Sequence, residues 1–336
     1  MPVNIRDIAK AAGVSVATVS KALNGYRSVN ASTREKVKRI AEEMQFHPNA
    51  AARSLVGQRS MTLGVFLTTG LAHPFFASLL GGVDQALQAR GYDLIYLSQV
   101  SWRQEYHFVQ HCRSRNVEGV LVFGFQESDM DFGELIESKL PAVFIDMDMS
   151  GSHIATISSD NLEAIRSVIR RLHEWNHRRI AFVAGQAGSY ASRMRFEGYC
   201  EGLASCGLPF RQPYVMDGDY TRDSGYEAMK RLLAVPAEER PTAVICCSDM
   251  SAIGAMEAAI EEGLSVPDDI SIVGFDDIEV ARSVRPALTT IRQDTESIGR
   301  KAVELLDDLI READIPSKQV ILPTEWVSRG TCAPAP

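Results

Sequence analysis

Ten of the first sixty residues are Lys or Arg and only four are Asp or Glu, so this stretch carries a formal charge of +6, against −14 over the rest of the chain. Clustered cations neutralise phosphates and release condensed counterions. Such an asymmetry is expected when a small basic arm on an acidic body meets a polyanion. Other groupings offer less. His107 and His111 stand four apart on an expected helix, with Cys112 beside them, a spacing that can hold a metal. No acidic residue or further His completes the set, so no metal site is expected. Neither a Walker A loop nor a G-x-G-x-x-G run is present, and no Ser, His and Asp constellation suggests a catalytic triad. The six Cys show no C-x-x-C pair. Adjacent Cys246 and Cys247 suit a buried strand of a reduced protein better than a disulfide framework.

Two kinds of element must position these groups. Residues 4–45 read as three short helices. The first spans Ile5–Ala12 and is broken at Gly13-Val14. Ser15 caps a second that runs to about Leu23, where Asn24-Gly25 stops it. A third follows a capping box at Ser32-Thr33-Arg34-Glu35, with Val37, Ile40, Ala41 and Met44 at helical spacing. After His47-Pro48 comes an Ala-rich stretch of about eight residues, too short to be a stable helix alone. It is a candidate order–disorder switch. From residue 62 apolar runs (Leu63–Leu67, Leu94–Leu97, Val120–Phe125, Ala142–Ile145, then Ile180–Ala184, Ala243–Cys246 and Ser271–Gly274) alternate with helical segments (Phe75–Ala89, Leu162–Trp175, Arg195–Cys206, Ser251–Glu262). That alternation implies parallel sheets covered by helices on both faces, in two similar halves. Ligands of such sheets sit beyond the carboxyl ends of the strands, so two halves would enclose a cleft. No apolar run approaches the length of a membrane span, and MPVNIRDIAK lacks the apolar core of a secretory signal. A cytoplasmic protein is expected, without cofactor or membrane partner.

The run from Asn4 to Asn24, NIRDIAKAAGVSVATVSKALN, resembles the DNA-binding signature of the LacI/GalR family of bacterial repressors. The physics agrees: Ala9 and Ala12 are small where helices would cross, and Gly13 allows a sharp turn. A recognition helix would present its first turns to the major groove. Val16 and Ala17 can touch thymine methyls and Lys21 can donate to guanine. Ser15, Thr18, Ser20 and Asn24 can reach phosphates, and the resemblance adds Asn4, Asn30 and Thr33 to the backbone contacts. The segment from His47 to Leu55 resembles the family's hinge helix. The resemblance implies that Leu55 wedges between base pairs in the minor groove, with Asn49, Ala52 and Arg53 beside it. Unstacking of that kind costs a few kcal/mol, offset by wider contact with bent DNA. Further landmarks, among them Pro74-Phe75-Phe76, Arg195-Phe196-Glu197-Gly198-Tyr199 and Gly274-Phe275-Asp276-Asp277, extend the likeness over the whole chain.

The resemblance implies a small all-α helix-turn-helix domain (1–47), a hinge helix and linker (48–60), and an α/β periplasmic-binding-protein-like core (61–336). The core would comprise two doubly wound parallel-sheet lobes, about 61–159 with 291–322 and about 160–290 with 323–336. The chain would cross between them near 157–161, 288–294 and 321–325. It also implies an effector site in the cleft. A sugar needs carboxylates, an Arg and aromatic planes, and family positions supply Phe75, Phe76, Asp146, Arg195, Tyr220, Ser248, Asp249 and Asp276. Arg195 and Asp276 are expected on hydroxyls, and Phe76 and Tyr220 flanking the ring. Ser248 stands where sugar-binding members commonly carry Asn. Ser189 and Ala191 lack the Arg and Thr that a purine-binding member uses nearby, so a sugar or sugar derivative is favoured. The expected function is that of a homodimeric repressor on a near-palindromic double-stranded operator, controlled by a sugar. The alternative is a purine- or nucleoside-responsive, or phosphoprotein-corepressed, regulator of the same family. A sugar-transport protein or an enzyme with a DNA arm is disfavoured, since the chain begins with the basic arm and shows no nucleophile–base pair.

Overall fold

The computed structural model describes residues 3–23, 26, 28–46, 59–67, 74–98, 107–123 and 132–336. They form two units, Met1–Ser60 and Met61–Pro336. Asn24, Asn49, Ala52, Arg53 and Leu55 lie outside the described residues.

The first unit holds α1 (Ile5–Ala12), α2 (Val16–Leu23) and α3 (Ala31–Glu43). A capping box opens α1: Asn4 Oδ1 accepts from the Arg6 N–H at 2.9 Å, and Asp7 returns a carboxylate to the Asn4 N–H at 2.9 Å. Gly13, at φ +68°, closes it in the left-handed region. Ser15 Oγ accepts from the Thr18 N–H at 3.1 Å and thereby starts α2. The box expected at Ser32–Glu35 does not cap α3. Asn30 does, two residues earlier, because its Oδ1 takes the Thr33 N–H at 2.8 Å and the Ser32 hydroxyl at 3.0 Å. A small core of Ile8, Ala9, Ala12, Val19, Ala22, Val29, Val37 and Ala41 joins the three helices. Arg34 clips the turn between α2 and α3 by donating to the carbonyls of Tyr26 and Val29. Loss of one cap typically costs ~1 kcal/mol. Asn4→Ala is therefore expected to lower the arm's helical content in a thermal melt followed by circular dichroism, and Asn4→Ser to restore it.

The second unit contains two six-stranded sheets. In the first lobe β1 (Thr62–Leu67), β2 (Asp93–Leu97), β3 (Gly119–Phe123), β4 (Ala142–Ile145), β5 (Ile154–Ser159) and β11 (Gln319–Leu322) lie in the order β11-β5-β4-β3-β1-β2, all parallel. Period-two alternation sends Leu121, Phe123, Val143 and Ile145 to one face, against α4 (Pro74–Arg90) and α11 (Thr295–Ile310). Val120, Val122 and Phe144 go to the other, towards α5 (Phe108–Ser114) and α6 (Gly133–Glu137). In the second lobe β6 (Ile180–Val183), β7 (Val215–Met216), β8 (Ala243–Cys246), β9 (Ser271–Asp276), β10 (Thr289–Gln293) and β12 (Thr324–Val327) run β12-β10-β9-β8-β6-β7, with β12 antiparallel. Helices α7 (Asn161–Glu174) and α8 (Tyr190–Ser205) cover one face. Helices α9 (Arg222–Leu233) and α10 (Asp249–Glu261) cover the other.

The chain passes between lobes at Ser159-Asp160, Gln293-Asp294 and Leu322-Pro323. Asp160 and Asp294 each cap the helix that follows, and the Asp160 N–H donates to the Leu322 carbonyl at 2.8 Å. The second lobe extends past the expected 290. Ile291 and Arg292 pair with both β9 and β12, and Gln293 with β12, so the return falls after Gln293. The apolar runs named above do not include β5, β7, β10, β11 or β12. Cys112 is buried in the first lobe's core, and none of the six cysteines is in a disulfide. Among the described residues no group of three or more His, Cys, Asp or Glu is placed to hold a metal ion, and no helix is long and apolar enough to cross a membrane.

Candidate functional site

The arm presents one exposed helical face. On α2, Val19 and Ala22 enter the core, which turns Val16, Ala17 and Lys21 outward. Val16 is 41% exposed, unusual for an aliphatic residue in so small a unit. Ser15 and Thr18 share a hydroxyl contact of 2.9 Å at the start of that helix, beside this face. Asn4 and Asn30 use their side-chain oxygens as caps, and Thr33 lies within the first turn of α3. Ser20 is half-buried on α2.

In the second unit, four residues at the carboxyl ends of strands adopt positive φ: Asp146 (+56°) after β4, Tyr220 (+71°) beyond β7, Asp276 (+119°) ending β9 and Asp277 (+59°). Non-glycine residues take such angles at a cost of order 1–3 kcal/mol each, and they cluster where side chains must be held for function. Arg195, only 3% exposed, stands among them on α8. Its Nε donates to Asn161 Oδ1 at 2.8 Å and its Nη1 to the Cys247 carbonyl, while the guanidinium lies over the Phe275 ring at 3.6 Å. It acts electrostatically on Asp146 of the first lobe and on Asp276 of the second, and so joins the two. Burial pushes the Asp276 carboxyl up to about 7, while Arg195 and the Gln293 amide, which donates at 2.7 Å, pull the other way. Burial also raises Asp146, against Arg195 and Asn161. Asp146 Oδ1 and Gln293 Oε1 are buried without a hydrogen-bond partner. The Tyr220 hydroxyl meets Ser189 Oγ at 2.6 Å. Its ring rests on Gly185, where a Cβ would come within 2.1 Å of Tyr220 Cε1, so any other residue there would displace the ring.

A cavity of about 780 Å³, lined by Phe75 and Ser78 of the first lobe, Asp276 and Ile278 of the second and Gln293 and Thr295 at a crossing, lies between the lobes. Its volume is ample for a small ligand. Phe75 reaches it; Phe76 does not. The latter is buried in the first lobe's core, stacked on Phe123 at a ring separation of 5.3 Å. Neighbours on a helix point about 100° apart, and α4 begins at Pro74 in the register that turns Phe75 outward. Ser248 and Asp249 hold the frame instead of facing a ligand. Ser248 Oγ donates to the Tyr220 carbonyl at 2.9 Å and accepts from the Ser251 N–H at 3.1 Å. Asp249, 0% exposed, accepts from the Thr290 hydroxyl at 2.5 Å and the Ile278 N–H at 2.8 Å. The S-x-x-S spacing of Ser248 and Ser251 is a capping signal that identifies the first of these roles. Asn161 and Gln293 were not anticipated. They are the residues at the lobe crossings, and only the meeting of those crossings gives them a place in the site.

The raised Asp276 carboxyl has a definite sign. The folded state holds its proton more tightly than the unfolded chain, so this group's stabilising contribution is complete below the ordinary carboxylate range and is lost as pH rises towards about 7. Asp277, held low by Arg329 and Arg292 against its burial, stays ionised across that window. Asp276→Asn is expected to flatten the dependence of Tm on pH between about 4 and 7 and to raise Tm at the upper end. An unchanged slope would show that Asp276 is ionised throughout.

Residues 4–49 match the profile described as bacterial regulatory proteins, lacI family, and residues 169–332 match the periplasmic binding protein-like domain. The chain is 35% identical to the protein described as probable HTH-type transcriptional repressor ExuR of Bacillus subtilis (strain 168), over 97% of both chains. Among solved structures, the Lac repressor dimer bound to operator and the anti-inducer ONPF superposes with a TM-score of 0.82 at 29% identity, covering 99% of this chain and 100% of that one. The complex of the transcriptional regulator CelR with cellobiose gives 0.71 at 30% identity, covering 98% and 99%.

Proposed function

Because the chain belongs to the lacI family of bacterial regulatory proteins, and is a transcription regulator rather than an enzyme, we propose that it represses from a near-palindromic operator as a homodimer and is controlled by a sugar held between its lobes. The observation that carries the effector reading is buried Arg195, which acts electrostatically on Asp146 of one lobe and on Asp276 and Tyr220 of the other, beside a cavity that Phe75 and Asp276 line. A ligand bridging those carboxylates interacts differently with open and closed lobes, and that difference is what coupling requires. The cellobiose bound by the CelR relative supports a sugar over a purine, as does Ser189, whose hydroxyl is engaged by Tyr220.

On the DNA side Val16, Ala17 and Lys21 read base edges, and Asn4, Ser15, Thr18, Ser20, Asn24, Asn30 and Thr33 hold the backbone. The stretch with Asn49, Ala52 and Arg53 is the hinge, and Leu55 its minor-groove wedge. The protein works in the bacterial cytoplasm, at the nucleoid when bound to its operator. Lys21→Ala is expected to relax preference at one base pair by ~1–3 kcal/mol, measured as enrichment across a randomised operator library; an unaltered preference would remove Lys21 from base readout. The sugar reading is tested by thermal shift of the full chain against neutral sugars and nucleosides. Stabilisation by a sugar supports it, and stabilisation by nucleosides alone overturns it.

A further inference from the structure

We propose that the interlobe site selects an uncharged sugar and rejects the corresponding sugar acid and sugar phosphate; this rests on the sugar reading above. Buried polar atoms are nearly always paired, and three that are not lie at the meeting of the lobes: Asp146 Oδ1 and Gln293 Oε1, which are acceptors, and the Ser159 hydroxyl, which can donate or accept; Gln293 is only 4% exposed and lines the cavity. A sugar hydroxyl can donate to either acceptor. The oxygens of a carboxylate or a phosphate dianion cannot, so an acceptor that faces C6 is satisfied by the hexose and not by its 6-carboxylate or 6-phosphate.

Charge points the same way. The described lining of the cavity carries six carboxylates against two guanidinium groups. Those two, Arg282 and Arg292, are drawn onto Asp277, with Arg292 at 2.7 Å and also paired with Glu325 at 2.9 Å. Arg195 already acts electrostatically on Asp146 and Asp276 and donates to Asn161 and the Cys247 carbonyl. An anion entering this space adds like charge to a net negative lining; Asp276 is buried, while Glu279, Asp294, Glu296 and Glu325 are exposed and act through water.

The test is isothermal titration of the full chain with D-glucose and D-galactose, each beside its 6-carboxylate and its 6-phosphate. The expected result is binding of a neutral hexose, with its acid and phosphate at least about thirtyfold weaker. A smaller gap, or a tighter acid or phosphate, overturns the inference and leaves the sugar reading standing. Failure of every member to bind overturns the sugar reading itself. Asp146→Asn separates charge from shape. The site's φ of +56° is one that Asn tolerates well, and the amide keeps an acceptor oxygen. The gap between hexose and acid is expected to narrow by about tenfold in this variant. An unchanged gap would overturn the electrostatic basis of the selection.

Discussion

Arg195→Ala is expected to weaken effector binding by at least about a hundredfold while operator binding without effector stays near that of the unaltered chain. Arg195 links Asn161 at the first crossing, the Cys247 carbonyl at the end of β8 and the Phe275 ring of β9, and it acts electrostatically on a carboxyl of each lobe. Its removal leaves Asp146 and Asp276, which repel each other, without this cation. Truncating one member of a buried charged cluster costs about 3–5 kcal/mol, which here falls on the closed, liganded arrangement of the lobes. Arg195→Lys keeps the charge but not the planar fork that reaches two acceptors at once, so an intermediate loss is expected. Titration calorimetry with the effector, beside operator binding of the same preparations, checks this. Equal effector affinity in Arg195→Ala would remove the guanidinium from the site.

Gly254→Ala is expected to destabilise the second unit by about 3 kcal/mol, read as a fall in Tm of several degrees. Helices α9 and α10 approach so closely that a Cβ at Gly254 would lie 1.9 Å from the Arg222 carbonyl oxygen and 2.9 Å from the Tyr226 nitrogen. Both are backbone atoms and cannot rotate aside. The strain would reach function, because the first turn of α10 carries the contacts that hold Tyr220: Ser248 to the Tyr220 carbonyl, and Ser251 to the Thr221 carbonyl at 3.1 Å. A variant that melts with the parent would mean that the two helices have slack absent from this structure.

How much of this was legible in the sequence varies with the kind of residue. The ends of α1 follow from Asn4, Asp7 and Gly13, whose roles are local. The cap of α3 was misplaced because Ser32–Glu35 carries the same local pattern as Asn30–Thr33, and only the folded turn decides between them. Strands buried on both faces, such as β3 and β8, were visible as apolar runs. The edge strands β11 and β12 are half-exposed, and β5 mixes Ser and Thr among its apolar residues, so none gives such a run. At the site, Arg195 and Asp276 were carried by their landmarks. The exchange of Phe75 for Phe76 turned on a helix register that two adjacent Phe cannot disclose. The positive φ at Asp146, Tyr220 and Asp276 is not disclosed by sequence, since Asp takes it only occasionally and Tyr rarely, and it is this backbone that sets where their side chains lie.

The central claim is that a sugar between the lobes alters the arm's hold on DNA. It is tested most directly by fluorescence anisotropy of the full chain on a palindromic operator selected from a random library, with and without a saturating neutral hexose that calorimetry has shown to bind. An operator Kd shifted at least about fivefold is predicted, the lower end of ordinary allosteric coupling. The same Kd in both titrations would contradict it.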